Sequence, residues 1–139
     1  MPETVESGNI VNEIEQVISR ASQFMVIASP VINLTENMFI KLAGASALGV
    51  KINFLTGTVP DPAVTRLLSV LKNLTLTYVE NMNARCYLNE SLLLVTSMSL
   101  DDMSVISSTD IAVLFTVNKD KEIYDSVIRS IEEVKLKGI

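Results

Sequence analysis

Residues 81 to 99 hold the side chains best placed to do chemistry in this sequence. Asn83, Arg85 and Tyr87 alternate with Ala84, Cys86 and Leu88. In an extended chain that alternation puts the amide, guanidinium and phenol on one face and the small apolar groups on the other. Asn89-Glu90-Ser91 then forms a tight polar turn, and Leu92 to Val95 is a second apolar strand. The hydroxyl-rich stretch Thr96-Ser97-Met98-Ser99 follows. Arg85 offers a planar fork suited to phosphate or carboxylate, and Asn83, Ser97 and Ser99 supply neutral hydrogen-bonding groups. These types together suit the cradling of an anion.

The types that are missing exclude as much. The chain has no histidine and one cysteine, Cys86. A Ser-His-Asp triad, a histidine-zinc site and a phosphohistidine intermediate are therefore ruled out, as are an internal disulfide and a cysteine cluster for a metal. Asn83 has a delocalised amide lone pair, so it can hydrogen-bond but neither attack phosphorus nor shuttle a proton. Cys86 falls on the opposite strand face from Arg85 and reads as a buried structural thiol.

The order of these residues resembles the signature of the phospholipase D superfamily: His-x-Lys, four residues, Asp, then a small residue, Ser, a spacer and Asn. In that pattern Asn83 stands at the His, Arg85 at the Lys and Glu90 at the Asp. Thr96-Ser97-Met98-Ser99 matches the later segment with Ser99 at the Asn, and Asp110 corresponds to a later acid before the last strand. The spacing fits from Phe24 to Ile131, yet each reactive position is altered. The resemblance implies an α/β layered sandwich, a mixed β-sheet flanked by helices. It also implies a homodimer, because single-motif members pair two chains so that their sites meet across a two-fold axis. No cofactor or metal is expected. The degenerate positions Asn83, Arg85 and Glu90 carry no catalytic role, and Asn83, Arg85, Ser97, Ser99 and Asp110 remain as ligand-binding candidates.

Two roles are open for Arg85. It can hold an anionic ligand, or it can pair internally with Asp110 or Glu90, since an unpartnered buried charge costs several kcal/mol in order of magnitude. The expected function is a catalytically inactive domain that dimerises or senses a ligand, with a phosphorylated small molecule or a protein as partner. The alternative is a residual phosphodiesterase or nuclease in which Glu90 or Asp110, with or without a metal, activates water directly.

Composition sets the outer limits. With 139 residues and 48% apolar content, the chain suits one domain with a proper core, and only residues 1–8 look polar and loose. Net charge is −5, and no two of the 11 basic residues are adjacent. A nucleic-acid binder concentrates positive charge to release phosphate counterions, so nucleic acid is disfavoured. So is adhesion to an anionic membrane. No apolar run nears the ~18–20 residues that span a bilayer, and the start lacks an export signal, so the expected location is cytoplasmic.

The elements that must position the motif follow from periodicity. Ile10, Ile14, Val17, Ile18 and Ala21 form a helical stripe, with Ser7 or Asn9 as cap. Residues 24–29 and 50–56 are continuous apolar runs, as in strands covered on both faces. Thr35 caps a second helix that ends at Gly49, and Asp61-Pro62 opens a third. Residues 74–79 alternate like an edge strand. Ile111 to Phe115 is the last strand, and Asp120 caps a closing helix striped by Ile123, Val127, Ile131 and Val134, with Tyr124 and Ile128 beside them. Thr56-Gly57-Thr58 lies where α/β proteins place ligand loops but reads better as a turn. Residues 100–109 read as a functional or partner-facing loop. Met82, Met98 and Met103 flank the motif as gap-fillers, and Glu132-Glu133 is a solvated helix face.

Overall fold

A computed structural model describes residues 2–100 and 110–138. The elements run β1 (Glu3–Val5), a 3-10 turn (Ser7–Asn9), α1 (Ile10–Ser19), β2 (Phe24–Ser29), α2 (Glu36–Ala47) and β3 (Lys51–Thr56). They continue with α3 (Pro62–Ser69), β4 (Leu74–Tyr78), β5 (Cys86–Asn89), β6 (Leu92–Thr96), β7 (Ala112–Thr116) and α4 (Lys121–Lys135). The seven strands form one sheet in the order β1-β7-β6-β5-β2-β3-β4. Pairing is parallel along β2-β3-β4 and antiparallel from β2 through β5, β6 and β7 to β1. The expected mixed-sheet α/β sandwich is therefore present.

The pleat sorts side chains into two cores. Met25 and Ile27 of β2, Phe54 of β3, and Tyr87 and Leu94 of the hairpin face α1, α2 and α3. Val26, Ala28, Leu55, Cys86, Leu88 and Leu93 face the other way, where Tyr124 and Ile131 of α4 cover them. Strands buried on both faces explain the unbroken apolar runs. The local signals close the helices as expected. Thr35 Oγ1 accepts from the Met38 N–H (3.1 Å), Asp61 Oδ1 accepts from the Ala63 N–H (2.8 Å), and Gly49 takes φ +87°.

Four local expectations change. Residues 3–5, polar enough to look loose, form β1 on the edge of β7; backbone pairing holds a strand that has almost no side chain to bury. Neither expected cap acts on α1: Asn9 occupies the cap position without a side-chain bond, and Ser7 Oγ donates instead to the Asp110 carbonyl at 2.5 Å. On α4, Tyr124 turns inward and Ile123 is 42% exposed, because the Tyr124 hydroxyl donates to the Asn89 carbonyl at 2.7 Å. Asp120 precedes that helix with no side-chain cap bond. The loop reading over 101–109, including Met103, lies outside the described residues.

The fourth change concerns the motif itself. Residues 81–85 are not strand and β5 begins only at Cys86, so alternation does not extend to Arg85, which shares the α4 side with Cys86 instead of the Tyr87 side. The sheet order explains this, since β4 and β5 are separated by β3 and β2. The connecting segment must cross about 14 Å over the ends of those strands, at roughly 4.8 Å per spacing. Asn81 in the left-handed region (φ 62°) and the Met82 N–H donating to Val79 O (3.0 Å) start the crossing. Gly57 lies directly beneath: a Cβ there would sit 2.1 Å from the Met82 carbonyl oxygen. Only a residue without a side chain lets the two backbones approach so closely.

Candidate functional site

The ligand-binding candidates gather at one end of the sheet, where the parallel strands finish and the antiparallel hairpin opens. Register carries them there. Ala28 near the end of β2 pairs with Cys86 at the start of β5, which pairs with Val95 near the end of β6. Thr96 pairs with Ala112, so Arg85, Ser97 and Asp110 follow or precede these rungs on the same side.

Within that end the side chains form two hydrogen-bonded pairs. Arg85 Nη1 donates to Asn83 Oδ1 at 3.0 Å. Ser97 Oγ donates to Asp110 Oδ1 at 2.7 Å and accepts from the Ile111 N–H at 3.1 Å. Asn83 and Ser97 are exposed, Arg85 and Asp110 are half-buried, and Ser99 is buried. The Thr96 N–H donates to the Arg85 carbonyl at 3.2 Å, which locks the two halves together through the backbone. The pairs are thus neighbours in the sheet, about one to two strand spacings apart, or roughly 5–10 Å.

The expected internal ion pair of Arg85 does not form. Among the described residues, the one ion pair joins Lys121 to Asp125. Ser97 holds one oxygen of Asp110, and Glu90 sits at the opposite end of β5, about 16 Å along the strand from Arg85 at roughly 3.3 Å per residue. Glu90 has a different task. Its Oε1 accepts from the backbone N–H groups of Gln23 (2.7 Å), Ser22 (3.0 Å) and Phe24 (3.2 Å). The acid at the hairpin turn therefore ties the loop between α1 and β2, and it does not face the ligand end. Among the described residues, no group of three His, Cys, Asp or Glu could hold a metal ion.

Burial raises the Cys86 thiol to about 11, which keeps it protonated near neutral pH and poor as a nucleophile. The Thr56-Gly57-Thr58 turn uses its hydroxyls internally. Both Oγ1 atoms donate to the Pro30 carbonyl, at 3.2 and 3.0 Å, as a simple turn would.

Two buried polar residues organise this scaffold and escaped the sequence reading. Ser29 Oγ, at the end of β2, donates to Val31 O (2.7 Å) and accepts from the Leu100 N–H (3.0 Å). Asn89 Nδ2 donates to Val17 O (2.8 Å), and its Oδ1 accepts from the Ser91 and Leu92 N–H groups (2.7 and 2.8 Å). A polar residue closing an apolar strand was the available signal, because such a group must find partners once buried.

This arrangement is a phospholipase D-like fold. NucT from Helicobacter pylori superposes with a TM-score of 0.82 at 11% identity, over 100% of this chain and 98% of that one. Nuc from Salmonella typhimurium, a phospholipase D family member, gives 0.72 at 13% identity, over 100% and 97%. TrmBL2, an archaeal chromatin protein whose structure shows a novel mode of DNA binding, gives 0.71 at 14% identity over 99% of this chain but 53% of its own length. No protein-family model matches the sequence, and none of the curated proteins matches it. Among the described residues, no helix is long and apolar enough to cross a membrane.

Proposed function

We propose that this chain is a non-catalytic phospholipase D-like domain that serves as a dimerising interaction or ligand-sensing module. The observation that carries the reading is the Asn83–Arg85 pair. An amide occupies the position that the family's pattern gives to the attacking imidazole, and its oxygen is engaged by the neighbouring guanidinium. With no histidine in the chain, the covalent route has no attacking group. The Arg85 guanidinium and the Asn83 amide N–H groups remain as donors at that end, while Ser97 gives its proton to Asp110; a cation beside neutral donors suits reversible binding of an anion such as a phosphorylated small molecule.

Self-association draws support from the same end of the molecule. Val31 and Ile111 are 36% and 74% exposed there, and exposed apolar side chains beside a polar site favour a partner surface. The DNA-binding theme of TrmBL2 does not carry over easily to a chain of net charge −5 with dispersed cations. Thermal melting with inorganic phosphate and with sugar phosphates tests the ligand reading. A native-state binder raises the melting temperature, and Arg85→Ala removes the rise. Enzyme-like phosphodiester cleavage that Arg85→Ala abolishes would favour the residual-hydrolase alternative and refute this one.

A further inference from the structure

Behind Arg85 lies a cavity of about 260 Å³ between α4 and the sheet. Ala28, Leu55 and Val95 form its floor, and Val127, Ile131 and Val134 of α4 form its roof. The gap follows from side-chain size: Ala28 on β2 and Ala84 on the crossing segment fill little of the space beneath the helix. The Cys86 thiol on its wall stays neutral, and among the described residues Arg85 is the one charged residue that lines it. The cavity is open to solvent on one side, and its almost wholly apolar lining suits an apolar guest.

Arg85 is half-engaged. Its bond to Asn83 uses Nη1, the terminal nitrogen on the Cδ side. That leaves the Nε–Nη2 edge, the edge that grips a carboxylate with two parallel hydrogen bonds. The Nε–H is shielded from solvent and has no hydrogen-bond partner among the described residues. A buried unsatisfied donor is unfavourable until an acceptor reaches it. A hydrophilic anion would satisfy Arg85 and leave the cavity empty, and a hydrocarbon would do the reverse. A ligand with both parts satisfies both.

We infer that the cavity under α4 and the guanidinium of Arg85 together form a binding site for an aliphatic carboxylate, with its alkyl chain between α4 and the sheet and its head group on the Nε–Nη2 edge once the Arg85 side chain turns to present it. The inference rests on the ligand-sensing reading and specifies its ligand class. At roughly 30 Å³ per water-sized group, the volume suits a chain of about eight or nine carbons beyond the head group.

The test uses hexanoate, octanoate and decanoate below their micelle concentrations, with decanol and glucose 6-phosphate as controls, by calorimetry and thermal melting. The expected result is binding that tightens roughly three- to fourfold per methylene up to decanoate. Arg85→Met should weaken decanoate at least about tenfold and erase its advantage over decanol. Ala28→Leu and Val127→Phe fill the cavity from opposite walls, so either one that folds should lose decanoate and keep any glucose 6-phosphate binding. Glucose 6-phosphate bound through Arg85 without decanoate binding would overturn this inference and leave the broader reading intact. Binding of neither would refute this inference and the ligand-sensing reading on which it rests. Decanoate affinity unchanged in the filled variants would place the fatty chain elsewhere and also overturn it.

Discussion

Glu90 gives the sharpest separation between a structural acid and a site acid. Its carboxylate collects the N–H groups of Ser22, Gln23 and Phe24 from a segment 66 to 68 positions away. Hydrogen bonds to a charged group contribute about 1.5–3 kcal/mol each when shielded. Ser22 and Gln23 are exposed, so water replaces much of what they lose, and the Phe24 contact is partly buried. Glu90→Ala is therefore expected to cost about 2 kcal/mol in total, and Glu90→Gln, which keeps an oxygen acceptor, about half that. For a domain of this size, 2 kcal/mol corresponds to a fall of roughly 6–8 °C in melting temperature. Urea unfolding should show a lower midpoint with an unchanged slope. Amide resonances of residues 22–24 should shift, while anion binding at Arg85 should not. An alanine variant within about 0.5 kcal/mol of the parent would refute the capping role. One that leaves stability intact and abolishes anion binding would return Glu90 to the site.

Two further outcomes follow from the scaffold. Gly57→Ala is expected to destabilise by about 1–3 kcal/mol in urea unfolding, because the new Cβ meets the Met82 carbonyl oxygen at 2.1 Å. A neutral result would mean that residues 79–85 are free to lift off β3. Cys86 sets an alkaline limit: the folded thiol titrates at about 11, above the ordinary value of 9.0, so the unfolded chain releases its proton first. Stability from this group is complete below pH 9 and falls between pH 9 and 11, by about 2–3 kcal/mol. Unfolding midpoints at pH 8 and 10.5 should therefore converge in Cys86→Ala relative to the parent; an equal alkaline loss in both would contradict it.

The parts of the fold that local chemistry dictates were legible beforehand. The unbroken apolar runs gave β2 and β3, and Thr35, Gly49 and Asp61-Pro62 marked helix ends through bonds made within a few residues. What long-range pairing decides was hidden. Alternation over 81–88 reads as strand, but the sheet order forces residues 81–85 to bridge β3 and β2 instead. Nothing in Glu3 to Val5 announces a strand until β7 is beside it. The acids offered to Arg85 found other partners: Ser97 for Asp110, and backbone N–H groups for Glu90. The cavity under α4 depends on Ala28 and Ala84 meeting a helix some fifty to one hundred residues later, which no window of sequence contains.

The absence of an attacking group at the Asn83 position is tested most directly by mass spectrometry of the intact protein during incubation with an activated phosphodiester such as bis(p-nitrophenyl) phosphate. The expected spectrum holds only the unmodified mass, with no burst of nitrophenol in stopped-flow traces. A phosphoryl adduct that forms with a burst, decays with turnover and disappears in Arg85→Ala would contradict the non-catalytic reading.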